Sequence, residues 1–361
     1  MIILAVVISL FFAMNIGASG TAASMGSAYG GGAIKKRVTA LVLVAIFSLL
    51  GAVIGGGEVV KTISKGIIPE GVISVQISVI ILFSASITLF MANRMGIPLS
   101  TSEVIVGSLV GAGLVFKAVL WKPFLIITSA WIIFPFIAGL ISLGLDKFIT
   151  KIPFFQFLSD RKKYQPFLVF LLIGAGSYEA FSAGMNNVAN AVGPLVGSGI
   201  FSSEQGLWLG GLFVSLGALI WGRKVLETNG KKITRYSLLQ ASCISITGGT
   251  LVIVASLMGI PIPLTQITTM SILGIGYSQK GKSIFQKAIV RQILKTWIIS
   301  PILSMLISFS LTHIITRSDE IGTSLFFLLV FLSLLLVGWI FKVSMTATNF
   351  SKESSNQSIK E

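Results

Sequence analysis

The chain has 361 residues, of which 54% are hydrophobic and only 11% are charged, and its formal net charge is +15. Soluble domains carry about 25% charged residues, so this composition excludes a soluble protein and predicts a multi-pass protein of the cytoplasmic membrane. The basic residues are scattered in short loops, which favours contact with anionic lipid over a nucleic-acid partner. A single cysteine, Cys243, excludes a disulfide framework. We predict no cofactor and no metal site.

Apolar stretches alternate with short polar interruptions along the chain. Stretches near 20 residues can span a bilayer, so we predict an all-α polytopic membrane protein with about 10–12 transmembrane segments. The stretches are 1–16, 38–54, 72–92, 123–145, 166–181, 207–222, 237–258 and 324–341, with a further helix through Trp297.

The longest polar interruption inside the chain covers residues 146–165 and is rich in lysine and arginine. Cytoplasmic loops carry an excess of these residues, so we interpret it as a cytoplasmic basic loop between two halves. The predicted organisation is a first membrane repeat at 1–145, this loop at 146–165, a second membrane repeat at 166–343, and a polar, disordered tail at 344–361.

The two halves repeat each other at a nearly constant offset. Gly184 follows Gly17 by 167 residues, and the WIIFP sequence from Trp131 returns 166 residues later as WIISP. An internal duplication in a membrane protein places the substrate between the halves, near the midplane. We therefore expect two inverted repeats, although the inversion requires an odd number of crossings between them.

Each half contains two uncharged or nearly uncharged polar segments at membrane depth. Residues 17–26 match 184–194, and residues 98–103 match 261–266. Proline at a helix start and a serine or threonine cap are typical of helix N-termini, which bind anions. Four half-helices or re-entrant hairpins would form a neutral cage for an oxyanion; the alternative is four ordinary kinked helices packed through small residues. We assign the breaks to Gly17, Gly20, Gly184, Gly193, Pro98 and Pro261.

Few acidic residues are candidates for a site. Intramembrane carboxyls are costly and usually functional; Glu103 lies in a proline-polar segment, and Glu179 precedes residues 184–194 and is equally well interpreted as a structural carboxyl. We expect Glu58 and Glu227 to form ion pairs near the membrane surface. The remaining eight acidic residues are assigned to loops or tails: Glu70, Asp146, Asp160, Glu204, Asp319, Glu320, Glu353 and Glu361.

The sequence GMNNVANA at 184–191 resembles the GANDVANA signature of the inorganic phosphate transporter (PiT) family. The family's Ser-Thr-Thr-His-type segment corresponds to Ser100–Glu103 and to Thr265–Gln266, and the duplicated order also agrees. The resemblance covers essentially the whole chain, and the stretches GGGEVVKTIS and LETNGKKITR are most similar to the family's bacterial sulfate permease branch. It implies inverted repeats and secondary active uptake of an anion.

The chain departs from the family pattern at the positions that matter for coupling. In the sodium–phosphate members each GAND segment supplies an aspartate near bound sodium, whereas this chain has Gly20 and Asn187 there, and Glu103 and Gln266 at the histidine positions. Sulfate has no proton at neutral pH and is repelled by a carboxylate, so the missing aspartates suit sulfate. Glu103 would have to be protonated beside sulfate, which makes it the candidate proton carrier.

We therefore expect secondary active sulfate import by proton symport. The alternatives are a sodium- or proton-coupled phosphate symporter of the same family, an anion channel, and an integral-membrane enzyme. The enzyme is disfavoured, because the sequence has no nucleophile elbow, metal cluster or paired catalytic carboxylates. Arg223 is expected to attract anions at the mouth, and a second copy of the chain, as a homodimer, is a candidate partner. The predicted substrate-binding residues are Ser19, Thr21, Ser24, Ser100, Thr101, Ser102, Asn186, Asn187, Asn190 and Thr265, and the predicted ion-coupling residues are Glu103, Asn187 and Gln266.

Overall fold

The computed structural model describes residues 1–95, 99–227, 236–286 and 288–317. Within these ranges every regular element is helical. Seven helical stretches among the described residues are long and apolar enough to cross a membrane, so the chain is a multi-pass membrane protein. The predicted 10–12 segments stay a prediction, because residues 324–341 and the polar tail lie outside the described ranges. The seven stretches are Ile2–Thr21, Arg37–Gly55, Val75–Arg94, Trp121–Lys151, Lys162–Gly197, Leu238–Leu257 and Ile293–Thr316.

The helices follow the apolar runs of the sequence closely. The runs 38–54 and 237–258 become α3 and α12 to within one residue at each end. Ser237 caps α12 in a reciprocal box with Gln240, which satisfies free N–H groups at the helix start. The helices are α1 (Ile2–Ile16), α2 (Gly26–Gly30), α3 (Arg37–Gly55), α4 (Gly57–Lys61), α5 (Val75–Met95), α6 (Thr101–Val115), α7 (Trp121–Lys151), α8 (Pro153–Asp160), α9 (Gln165–Gly197), α10 (Ser203–Trp221), α11 (Arg223–Glu227), α12 (Leu238–Leu257), α13 (Leu264–Lys280) and α14 (Ala288–Arg317), with π-helical turns at Gly17–Thr21 and Thr62–Gly66.

Two sequence predictions about the path of the chain are wrong. The basic stretch 146–165 is mostly helical, because α7 continues to Lys151 and α8 and the start of α9 fill most of the rest. Asp146, assigned to a loop, is buried and accepts a hydrogen bond of 2.5 Å from Gln240. The predicted breaks at Gly184 and Gly193 are also absent, since α9 runs unbroken through both.

The glycines of the repeated segments serve instead as points of close contact between helices. A methyl group added to Gly17 would lie 1.9 Å from the carbonyl oxygen of Val214 in α10, and one added to Gly184 would lie 1.9 Å from that of Ser48 in α3. Small residues allow helix backbones to approach this closely. Gly17 and Gly184 are repeat-equivalent, and Ser48 and Val214 differ by 166, so each half packs its first long helix on the other half in the same way.

Contacts between α1 and α9 give the relative direction of the halves. Ser9, in the middle of α1, donates a hydrogen bond of 2.9 Å to the carbonyl oxygen of Ala191, late in α9. Gly176, early in α9, lies against Met25, which follows α1. The two helices therefore run antiparallel. This supports the inverted relation of the halves, which stays a prediction.

Two hairpins carry the proline-polar segments into the protein. Helices α5 and α6 pack on each other, as do α12 and α13, and α14 packs on α6 as α7 packs on α13. Helix α6 begins at Thr101 and α13 at Leu264, and both first turns are buried. The two hairpins thus place two helix N-termini inside the protein, as the sequence predicts for half-helices.

Candidate functional site

The polar face of α9 meets the start of α6 through a set of hydrogen bonds between side chains. The hydroxyl of Thr101 donates to Oδ1 of Asn187 at 3.1 Å. Nδ2 of Asn190 donates to the hydroxyls of Thr101 and Ser102, each at 3.1 Å. All four side chains are buried, at 3% exposure or less. The second polar segment and the first proline-polar segment, far apart in sequence, therefore form one site.

Asn186 holds the irregular stretch between α12 and α13. Its Oδ1 accepts from the backbone N–H of Ile262 at 3.1 Å, and its Nδ2 donates to the carbonyl oxygen of Ile260 at 3.1 Å and to Ser256 at 2.9 Å. These bonds, with a longer one from Ser102 at 3.4 Å, use most of the bonding capacity of the carboxamide. Asn186 therefore shapes the site rather than offering a free group to a ligand.

The first polar segment reaches the site by distortion of its backbone. Ser19 departs from helical geometry at φ −100° and ψ −109° inside the π-helical turn Gly17–Thr21, and its hydroxyl donates to the carbonyl oxygen of Leu99 at 3.1 Å. A methyl group on Gly20 would lie 3.2 Å from Thr265 and 3.4 Å from Nδ2 of Asn187. Segments from both halves thus converge at Gly20.

Glu103 lies where the N-termini of α6 and α13 meet. Its Oε1 accepts a hydrogen bond of 2.5 Å from Nε2 of Gln266. Its backbone N–H donates to the hydroxyl of Ser100, which caps α6, at 3.2 Å. Glu103 is 5% exposed and is in none of the ion pairs of the described residues. Two of the three predicted ion-coupling residues, Glu103 and Gln266, are therefore direct neighbours.

Several buried polar atoms of the site have no hydrogen-bond partner among the described residues. A buried polar group without a partner costs free energy and calls for an explanation. The hydroxyls of Thr21 and Thr265 and the amide nitrogen of Asn187 can donate to an oxyanion, whereas the oxygens of Asn190 and Glu103 need a donor. The atoms are Thr21 Oγ1, Asn187 Nδ2, Asn190 Oδ1, Thr265 Oγ1 and Glu103 Oε2.

The remaining predicted positions have more local surroundings. The Ser24 hydroxyl donates to the carbonyl oxygen of Thr21 at 2.7 Å, just beyond the π-helical turn. Pro261 lies in the irregular stretch before α13, where its carbonyl oxygen accepts from Nε1 of Trp131 at 3.0 Å. Pro98 lies outside the described residues.

The expected ion pairs of Glu58 and Glu227 are present. Glu58 pairs with Lys61 at 2.6 Å, and Glu227 pairs with Arg37 at 2.7 Å. Arg223, predicted to attract anions, contacts Glu227 at 3.4 Å. Part of its charge is therefore balanced locally.

Sequence reasoning missed polar groups that lie next to the site on apolar-looking helices. Nδ2 of Asn93 in α5 donates to the carbonyl oxygen of Asn15 at 2.9 Å, just before the first polar segment. Thr268 of α13 donates to Glu179 at 2.5 Å. The dense hydroxyls of the sequence LTQITTMS were the available signal for α13, whereas a lone asparagine in α5 offers none.

Comparisons with known proteins agree with this architecture. The model of the phosphate transporter family matches residues 16–308. The chain belongs to the phosphate transporter family. It is 52% identical to the sulfate permease CysP of Bacillus subtilis over 316 residues, which cover 87% of this chain and 88% of that protein.

A solved structure also resembles the fold. The structure of a protein described as the sodium-dependent phosphate transporter superposes with a TM-score of 0.77 at 26% sequence identity. The match covers 87% of this chain and 98% of the other. These relatives are transporters and permeases, which agrees with the expectation of a non-enzymatic membrane protein that handles an oxyanion.

Proposed function

We propose that this protein imports sulfate across the cytoplasmic membrane together with protons. The sulfate would lie between the polar faces of the two halves, where α6 and α13 begin. The proposed lining consists of the side chains and backbone N–H groups of Ser19, Thr21, Ser24, Ser100, Thr101, Ser102, Asn187, Asn190 and Thr265, with Asn186 holding the stretch before α13.

The observation that carries this proposal is the position of Glu103. It is buried at the junction of two helix N-termini, and it is hydrogen-bonded to the neutral side chain of Gln266. Helix N-termini favour a negative ligand, but an ionised carboxylate would repel sulfate. Glu103 must then take up a proton when sulfate binds, which links the two ions.

The residues that replace the family's aspartates support sulfate over phosphate. Gly20 and Asn187 face each other at the centre of the site and bring no charge. Hydrogen phosphate can donate its proton to a carboxylate, whereas sulfate has no proton to donate. The 52% identity to a protein named as a sulfate permease supports the same choice.

Coupling to another ion is needed for accumulation. Import of a dianion against an inside-negative potential costs about 4.6 kcal/mol per 100 mV, twice the figure for a single charge. Two protons would cancel this electrical cost, and three would turn the potential into a driving force.

The test is uptake of labelled sulfate into proteoliposomes under imposed proton or sodium gradients. Proton-driven uptake by the wild type, with fewer protons carried per sulfate in Glu103→Gln, is the expected result. Glu58→Gln is the matched control, because Glu58 is paired with Lys61 at the surface. Uptake driven only by sodium would overturn proton symport, and sulfate flux that needs neither gradient would favour the anion channel.

A sodium- or proton-coupled phosphate symporter is the second candidate. The name of the matching family and the similarity to the sodium-dependent phosphate transporter both favour it. Competition decides between the two substrates: excess phosphate should leave labelled sulfate uptake unchanged. Transport of labelled phosphate without sulfate transport would overturn the sulfate assignment while leaving the fold intact.

A further inference from the structure

A second carboxyl, Glu179, is enclosed at membrane depth by three helices. It lies in α9, seven residues before Asn186, or about 10 Å along the helix. It is 0% exposed, and its Oε1 accepts a hydrogen bond of 2.5 Å from Thr268 of α13. A methyl group on Gly248 of α12 would lie 3.2 Å from the same oxygen. The carboxyl is therefore buried between α9, α12 and α13.

The groups that face Glu179 are neutral in their ordinary states. Ser245 of α12 lies beside it and is hydrogen-bonded to Ser27 of α2. Tyr236 lies just before α12; burial and, to a smaller extent, the nearby Glu179 carboxylate raise the pKa of this tyrosine. No ion pair of the described residues includes Glu179, and its Oε2 has no hydrogen-bond partner among them.

A carboxylate so placed is costly unless it is neutralised. Burial disfavours the charged form, and a buried carboxyl without a cation is most stable with its proton bound. Hydroxyl groups such as those of Thr268 and Ser245 can either donate or accept a hydrogen bond. They can therefore stay hydrogen-bonded to the carboxyl in both of its protonation states.

Helix α13 connects this carboxyl to Glu103. Gln266 donates to Glu103, and Thr268, two residues later, donates to Glu179. Residues two apart project about 200° around a helix, so the first turns of α13 lie between the two carboxyls. Any displacement of α13 alters the hydrogen bonds of both.

We propose that Glu179 is a second proton-binding residue, so that Glu103 and Glu179 each carry one proton with each sulfate. This inference rests on the proposed function. On the outer side one proton adds to a carboxylate oxygen of each residue as sulfate binds, and on the inner side each O–H bond breaks as sulfate leaves. Two protons balance the two negative charges of sulfate, so the cycle moves no net charge.

The test compares sulfate accumulation in proteoliposomes with and without an inside-negative diffusion potential, at a fixed proton gradient. Wild type should accumulate sulfate to the same level in both. Glu179→Gln carries one proton fewer and imports a net negative charge, so 100 mV should lower its accumulation ratio on the order of 50-fold. Glu58→Gln removes a surface carboxyl that is paired with Lys61, outside the proposed proton sites, and should behave as wild type. Potential-independent accumulation by Glu179→Gln would overturn the proposal.

Different results would contradict proton-driven sulfate import and the role of Glu179. If wild-type uptake ignores the proton gradient, the proposed function itself is wrong; if wild type is proton-driven and Glu179→Gln keeps its coupling ratio, only the role of Glu179 is wrong. Should Glu179→Gln fail to fold or to transport, proton uptake on sulfate binding to the wild type in weakly buffered detergent solution decides. Two protons per sulfate are expected, and a single proton would overturn the role of Glu179.

Discussion

The two copies of the repeated polar segment bring their side chains to the site in different ways. Residues 17–26 bend the backbone through a π-helical turn, and the short side chain of Ser19 then reaches the carbonyl oxygen of Leu99. In residues 184–194 the helix stays unbroken, and Asn187 and Asn190 extend longer carboxamides to α6. The comparison teaches that a glycine-rich polar pattern at membrane depth predicts a site, but not whether the backbone or the side chain reaches it.

The largest expected loss of stability comes from disturbing the close helix contacts that both polar segments make through a glycine. Gly184→Ala places a methyl group 1.9 Å from the backbone oxygen of Ser48, and backbone cannot yield cheaply, so we expect about 3 kcal/mol of destabilisation or more. Thermal unfolding in detergent, followed by size-exclusion chromatography, measures it. Gly17→Ala should behave alike, because its added methyl meets the oxygen of Val214 at the same distance.

Gly174→Ala is the matched control on the same helix. A methyl group there meets nothing within 4 Å, and alanine is favoured over glycine in a helix by up to about 1 kcal/mol. This variant should be as stable as wild type or slightly more so. Equal stability of Gly184→Ala and Gly174→Ala would show that the close contact with α3 is not required.

The next effect tests the charge difference between this chain and the family pattern. Asn187→Asp keeps the shape and can still accept from Thr101, but adds a carboxylate beside the proposed sulfate. We expect sulfate uptake at limiting concentration to fall on the order of 100-fold, or about 3 kcal/mol. Asn187→Ala, which removes the hydrogen bond without adding charge, should lose less. Unchanged uptake in Asn187→Asp would remove Asn187 from the sulfate site.

Much of this architecture can be predicted from the sequence. Hydropathy sets the helix positions, since lipid demands long apolar helices, and the repeat pairs the two hairpins. The proline-polar segments correctly predict the starts of α6 and α13, because proline and serine favour helix N-termini wherever they occur.

The rest depends on contacts that no local pattern contains. Gly184 predicts a break when it is considered alone, yet the nearby backbone of α3 explains why an unbroken helix has a glycine there. Asp146 looks like a loop residue until Gln240, 94 residues away, donates a hydrogen bond to it. The same is true of Thr268, whose partner Glu179 is 89 residues away in the chain.

A smaller effect on stability is expected when the hydrogen bonds of the two polar segments are removed. Asn190→Ala removes two buried bonds, to Thr101 and Ser102, and should cost about 2–3 kcal/mol of stability. Ser19→Ala removes one, to Leu99, and should cost about 1 kcal/mol. Thermal unfolding of both variants gives the ratio. A larger loss in Ser19→Ala would mean that the bent copy depends on its hydroxyl more than the unbroken copy depends on its carboxamide.

The smallest effect concerns the ion pairs that flank the site at the surface. Glu58→Gln should lose no more than about 0.5 kcal/mol, since both partners are more than half exposed and water screens the pair. Glu227→Gln should lose slightly more, because Glu227 is 33% exposed and its partner Arg37 is 38% exposed, both less than the Glu58 pair. Unfolding at low and high salt checks both, and salt should remove the difference. A loss that persists in high salt would indicate a role beyond the ion pair.

The glycine contacts of α1 with α10 and of α9 with α3 also constrain how the protein can move. At each contact the two helices can rotate relative to each other, but their backbones are too close for them to slide past each other without separating. The four helices are joined in this way as two reciprocal pairs, which makes them a stiff frame. The travel that exposes the site to one side and then to the other is therefore expected in the hairpins α5–α6 and α12–α13, which pack on that frame.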